Sequence, residues 1–72
     1  MANAPYSYNA DLLKMVRESG LGVKDIAGIA RIPVGEMFEI IAGLWEPPES
    51  AKTRIASALG CRVNEIFREG GR

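Results

Sequence analysis

Histidine is absent from this sequence and cysteine occurs once, at Cys61. A lone thiol leaves no intramolecular disulfide, and without histidine there is no zinc constellation of the usual kind. No serine, cysteine or carboxylate has a histidine partner either, so no catalytic arrangement is found and an enzyme is not expected. No apolar run approaches the length of a membrane span, and the opening MANAPYSYN lacks both the basic start and the apolar core of a secretory signal. Charge of neither sign dominates: nine Lys and Arg face nine Asp and Glu. No global positive field therefore exists to draw in nucleic acid, and local placement must decide that question. The expectation is a cytoplasmic protein in a reducing compartment, with no metal, no cofactor, no membrane contact and no small-molecule substrate.

What is present is a globular balance in 72 residues, 47% hydrophobic and 25% charged. That length allows one domain, near the size at which a single core is just sufficient. Residues 1–8, with Pro5 and two tyrosines among small polar residues, are expected to form a loose arm unless Tyr6 or Tyr8 docks on the core, which is the simpler outcome for one of them. The domain proper is assigned to 9–68, and the tail 69–72 should fray.

Along the domain, Asn9 is a plausible cap for a first helix running to about Glu18, with Leu12, Leu13 and Val16 as its apolar stripe and Gly20 as its end. Gly22 stands where a Ser or Thr cap is usual, so a second helix, Val23 to Ala30, is weakly capped, with Asp25 its favourable dipole contact. Arg31 takes a turn position that commonly needs a left-handed backbone, and Pro33 suits the start of a third helix, from about Val34 to Ala42. Ile26, Ala27, Ala30, Ile32, Met37 and Ile40 have the spacing that lets two short helices pack crosswise, the helix-turn-helix pattern. Gly43 is a natural stop, and Leu44 to Pro48 is a rigid connector. A fourth helix is expected from Glu49 to Leu59, with Lys52 and Arg54 on its outer side and Ile55, Ala56 and Leu59 inward. Gly60 closes it. Cys61 and Val63 are expected to be buried, Cys61 as a small apolar filler, and Asn64 to Phe67 forms a last turn whose Ile66 and Phe67 plug the core.

Together, five helices at this spacing, Gly20-Leu21, Ile26-Ala27, Ile32, Met37, Ile40 and Gly43, then Pro47, Ile55-Ala56, Ala58-Leu59-Gly60 and Glu65-Ile66-Phe67, resemble the lambda-repressor-like, Cro-type helix-turn-helix family. The resemblance covers about Leu12 to Phe67. It implies an all-α, compact five-helix domain with a central helix-turn-helix, and a dimeric DNA-binding regulator of transcription. The DNA-contact positions it implies are Lys24, Arg31, Val34, Gly35, Glu36, Phe38 and Glu39. The family tends to place Gln or another polar residue at Val23 and Val34, and phosphate or base donors at Gly35, Glu36, Phe38 and Glu39. Here those positions hold apolar, acidic or absent side chains, so the scaffold is kept while the reading surface is rewritten.

Glu36 has a simpler account, because a carboxylate in a helix's first turn is stabilising by about 0.3 to 1 kcal/mol, and Glu39 can merely be solvated. The apolar members are harder to dismiss. Val34, Phe38, Ile41 and Trp45 form a second stripe beside the Met37 and Ile40 stripe that the core needs, with Val23 and Leu44 close to it. Trp45 could instead fold back on the core after Gly43. Two functions of different class follow. One is a small regulator with its third helix in a groove of double-stranded DNA, as a homodimer. The other is a protein-interaction module that binds itself or another regulatory protein through Val23, Val34, Phe38, Ile41, Leu44 and Trp45.

Overall fold

The computed structural model describes residues 8–67. The expectations for Tyr6 and for the tail 69–72 fall outside that range. Five helices follow in order: α1 (Ala10–Ser19), α2 (Val23–Ala30), α3 (Val34–Ala42), α4 (Glu49–Leu59) and α5 (Val63–Ile66). The fold is an all-α, five-helix domain with the helix-turn-helix at its centre.

Each helix end has an identifiable chemical cause. The Asn9 side-chain oxygen accepts from the Leu12 N–H at 2.9 Å, which starts α1. At the N-terminus of α2, Gly22 has no side chain to offer, but Asp25 Oδ2 accepts from the Gly22 N–H at 3.1 Å. The start of α2 is thus better held than a bare glycine suggests. Glu65 does the same for α5, accepting from the Arg62 N–H at 2.9 Å. Besides α1, which ends on left-handed Gly20, three helices end on a residue in the left-handed region: Arg31 after α2, Gly43 after α3 and Gly60 after α4. In each the following N–H reaches back to the last turn: Ile32 to the Ala27 carbonyl at 2.9 Å, Leu44 to Glu39 at 2.9 Å and Cys61 to Ala56 at 3.0 Å.

The core takes one central side chain from every helix: Leu12, Ile26, Met37, Ile55 and Ile66 are the largest fully buried residues. Ala27, Ala30, Ala51 and Ala56 are buried beside them, so small residues let the short helices approach closely. α2 packs on both α3 and α4, while α1 packs on α3, α4 and α5. Ile66 and Phe67 plug the base of the core as expected, whereas Cys61, Val63 and Leu59 are half-buried at its margin.

Asn9 joins three parts of the chain. Besides capping α1, its side-chain amide donates to the Ile66 carbonyl at 2.7 Å, and its backbone N–H donates to the Ile41 carbonyl at 2.7 Å. One residue therefore terminates α5, ties down the last turn of α3 and starts α1.

Lys52 departs from expectation. It lies on the inner side of α4, 6% exposed, because the Phe67 ring and the connector before α4 cover it. Its ammonium meets Glu46 at 2.6 Å and Glu49 at 3.8 Å, and stands 5.5 Å from the Phe67 ring centre. A buried ammonium needs such compensation, since desolvation costs several kcal/mol per ion. Arg54 is outward, and its Nε donates to the Ala30 carbonyl at 2.7 Å, satisfying the end of α2 from α4. Tyr8, for which docking on the core was one expectation, is exposed. Among the described residues no helix is long and apolar enough to cross a membrane.

Candidate recognition-helix surface

The candidate site is the outer face of α3 with its flanks. Met37 and Ile40 turn inward and fix the rotation of the helix, and Ile32, just before it, is buried in the same cluster. Pro33 precedes the first residue of α3, and its carbonyl accepts from the Met37 N–H at 3.0 Å. With one side committed to the core, Val34, Gly35, Glu36, Phe38 and Glu39 are all solvent-facing. Lys24 and Arg31, at the start and end of α2, are exposed as well.

The structure divides the second apolar stripe. Phe38 is 54% exposed, Leu44 56%, Trp45 41% and Val34 40%. Trp45 therefore does not fold back onto the core. Ile41 does not belong with them: at 8% exposure it is a core residue, packed where α1 and the Asn9 junction close over the end of α3. The correction is geometric. Ile40 and Ile41 are neighbours 100° apart on a helix whose buried arc is wide enough to take both. Val23 is half-buried and packs against the core margin, so it contributes at most an edge. The exposed apolar set is Val34 and Phe38 on α3, continued by Leu44 and Trp45 on the connector.

At Gly35, nothing lies within 4 Å of where a Cβ would stand. Packing does not require glycine there, and its effect is to leave the α3 backbone open to an approaching surface. Leu44, Trp45 and Glu46 border a cleft of about 320 Å³ that reaches down to Asn9, Ile40 and Phe67. Among the described residues Glu36, Glu39 and Arg31 make no ion pair, and Glu36 and Glu39 have no basic neighbour on α3 itself.

Arg31 holds φ +62° and ψ +46°, the one non-glycine residue with positive φ among those described. An L-residue in this conformation is strained by about 1 to 2 kcal/mol, where glycine would not be. Arg31 and Arg54 border a second groove, of about 350 Å³, between the end of α2 and α4, with Ile29, Thr53, Ser57 and Ala58 as its other walls. This groove was not legible in the sequence, where Ile29 read as part of a short helix and Arg54 as surface charge.

Cys61 is half-buried next to Glu65. Burial first, and the Glu65 charge second, push its thiol above the ordinary cysteine range. A shift in that direction lowers the thiolate fraction and with it the nucleophilicity of the thiol. Among the described residues no group of three His, Cys, Asp or Glu is placed to hold a metal ion.

No family model matches this chain, and no curated protein matches it. Among solved structures the chain is similar to the clp gene regulator ClgR from C. glutamicum, with a TM-score of 0.74 and 22% sequence identity over 81% of this chain and 75% of that one. At that identity the likeness carries the architecture: a helix-turn-helix domain, with α2 and α3 as its two central helices.

Proposed function

We propose that the protein is a small transcriptional regulator of the Cro type, acting as a dimer, with α3 set in the major groove of double-stranded DNA. The observation that carries this reading is the placement of α3: core contacts through Met37 and Ile40 fix one side of it, and Val34, Gly35, Glu36, Phe38 and Glu39 face solvent. The likeness in fold to a gene regulator supports it. The chemistry available is unusual for a groove reader. Val34 and Phe38 can meet thymine methyl groups, Glu36 or Glu39 can accept from a cytosine amino group, and the bare backbone at Gly35 permits close approach. Lys24 and Arg31 are the phosphate partners. So few cations give weak binding with a shallow salt dependence, each neutralised phosphate adding about 0.9 to the log–log slope.

Backbone amide shift mapping with duplex DNA at low salt tests this. Shifts are expected at Lys24, Arg31 and Val34 to Glu39. A titration that leaves those amides unmoved rules it out.

A second reading rests on a different observation, the exposure of Phe38, Leu44 and Trp45 beside two carboxylates and no base on α3. It is a helix-turn-helix module that contacts protein and not DNA. Covering one large apolar side chain is worth about 1.5 to 3 kcal/mol, enough for a few such residues to anchor a partner. It predicts no shifts with duplex DNA and loss of partner binding or self-association in Phe38→Ala and Trp45→Ala.

A further inference from the structure

We infer that the α3 face of one copy docks in the α2–α4 groove of a second copy. This goes beyond the DNA reading, because it states what covers α3 when no duplex is bound. Two surfaces of the same molecule are complementary in both charge and polarity. The α3 face presents Val34 and Phe38 with Glu36 and Glu39 and carries no base. The α2–α4 groove presents Ile29, 58% exposed, and Ala58, with Arg31 and Arg54 at its edge, and carries no acid.

Within one copy the opposed charges stay apart: Glu36, Glu39 and Arg31 have no intramolecular ion pair among the described residues. Arg54 is held in place by its bond to the Ala30 carbonyl, so its guanidinium is already oriented at the groove edge. Net charge is zero, so two copies meet without overall repulsion. The occupant is thus an acidic, apolar helix face, and α3 of another copy has that chemistry. If both contacts form together about a twofold axis the assembly closes as a dimer, and if they do not it propagates head to tail. In either case association covers α3 and competes with duplex DNA.

Sedimentation equilibrium of the full chain over a range of concentrations, at low and high salt, tests the contact. The wild-type mass is expected to rise above the 7.8 kDa monomer with concentration and to fall back with added salt. Arg31→Glu, and separately Glu36→Lys with Glu39→Lys, should each weaken association by about tenfold or more, since an attractive interfacial pair becomes a repulsive one. An equimolar mixture of the two should associate again, because the groove of the α3 variant keeps Arg31 and Arg54 and fits the α3 of Arg31→Glu, which keeps Glu36 and Glu39. Arg31→Gly guards against misfolding: it relieves the positive φ, so it should melt no lower than wild type and still associate less. A wild type that stays monomeric throughout, variants that associate normally, or a mixture that stays apart would each overturn the inference. If Arg31→Glu weakens duplex binding while wild type is monomeric, the groove serves phosphate instead.

Discussion

At the scale of single residues, Asn9 and Arg31 show two ways in which one position carries more than its local role. Asn9 is recognisable as a cap from its place before an apolar stripe. Its amide bond to Ile66 spans 57 positions of the chain, and no local pattern signals it. The two roles use different atoms, so they can be separated. Asn9→Ala removes the cap and the amide donor and is expected to cost about 2 kcal/mol. Asn9→Asp keeps an oxygen for the Leu12 N–H but loses the donor to Ile66, and is expected to cost about 1 kcal/mol. Urea unfolding midpoints of both variants check this, and an Asn9→Asp variant as stable as wild type would mean that the Ile66 bond contributes nothing. Arg31 is the converse case. Its left-handed backbone is foreseeable from its position between two helices, and glycine would serve the turn better. An arginine there sets a cationic side chain at the edge of the α2–α4 groove at the cost of a strained backbone.

At the scale of helices, the boundaries were largely legible because punctuation at their ends is local chemistry. Gly20, Gly43 and Gly60 stop three helices, and Pro33 and Pro48 precede two. Which side of a helix is covered depends on neighbours distant in sequence, and there the reading failed twice. Ile41 read as part of an outward stripe because Val34, Phe38 and Trp45 share its spacing, but the chain entering α1 at Asn9 closes over it, the Asn9 N–H donating to the Ile41 carbonyl. Lys52 read as outward because lysine usually is, but Phe67, fifteen positions later, lies against it. Lys52 also makes a prediction. Its stem fills space between α4 and Phe67, while its charge is compensated by Glu46 and Glu49. Lys52→Met keeps the unbranched stem and discards the desolvated charge, so stability should stay within about 1 kcal/mol of wild type. Glu46→Gln keeps the buried ammonium but leaves the more distant Glu49 as its ion-pair partner among those described, and should lose about 1 kcal/mol. Thermal melts of the two variants distinguish the roles; a Met variant that loses more than the Gln variant would mean that the charge itself holds α4 to the connector.

For the whole molecule, a core fed by one large side chain from each of five short helices has no reserve. A domain of this length has a net stability of about 4 to 10 kcal/mol, so any central side chain holds a large share of it. Met37 and Phe38 are adjacent on α3, about 100° apart around the helix, one completely buried and the other more than half exposed. Met37→Ala should cost about 2 to 5 kcal/mol through lost burial and the cavity left behind, and should broaden or abolish the unfolding transition at 37 °C. Phe38→Ala should change stability by no more than about 0.5 kcal/mol, because it removes no core contact and places a better helix former on the surface. Chemical denaturation measures the first difference, and DNA shift mapping with sedimentation measures what Phe38 does. If Phe38→Ala is as destabilising as Met37→Ala, the aromatic ring belongs to the fold and the open face of α3 is narrower than its exposure indicates. If stability is kept while association or DNA shifts are lost, the surface that Phe38 helps form is there for contact with another molecule, because its removal leaves the fold intact.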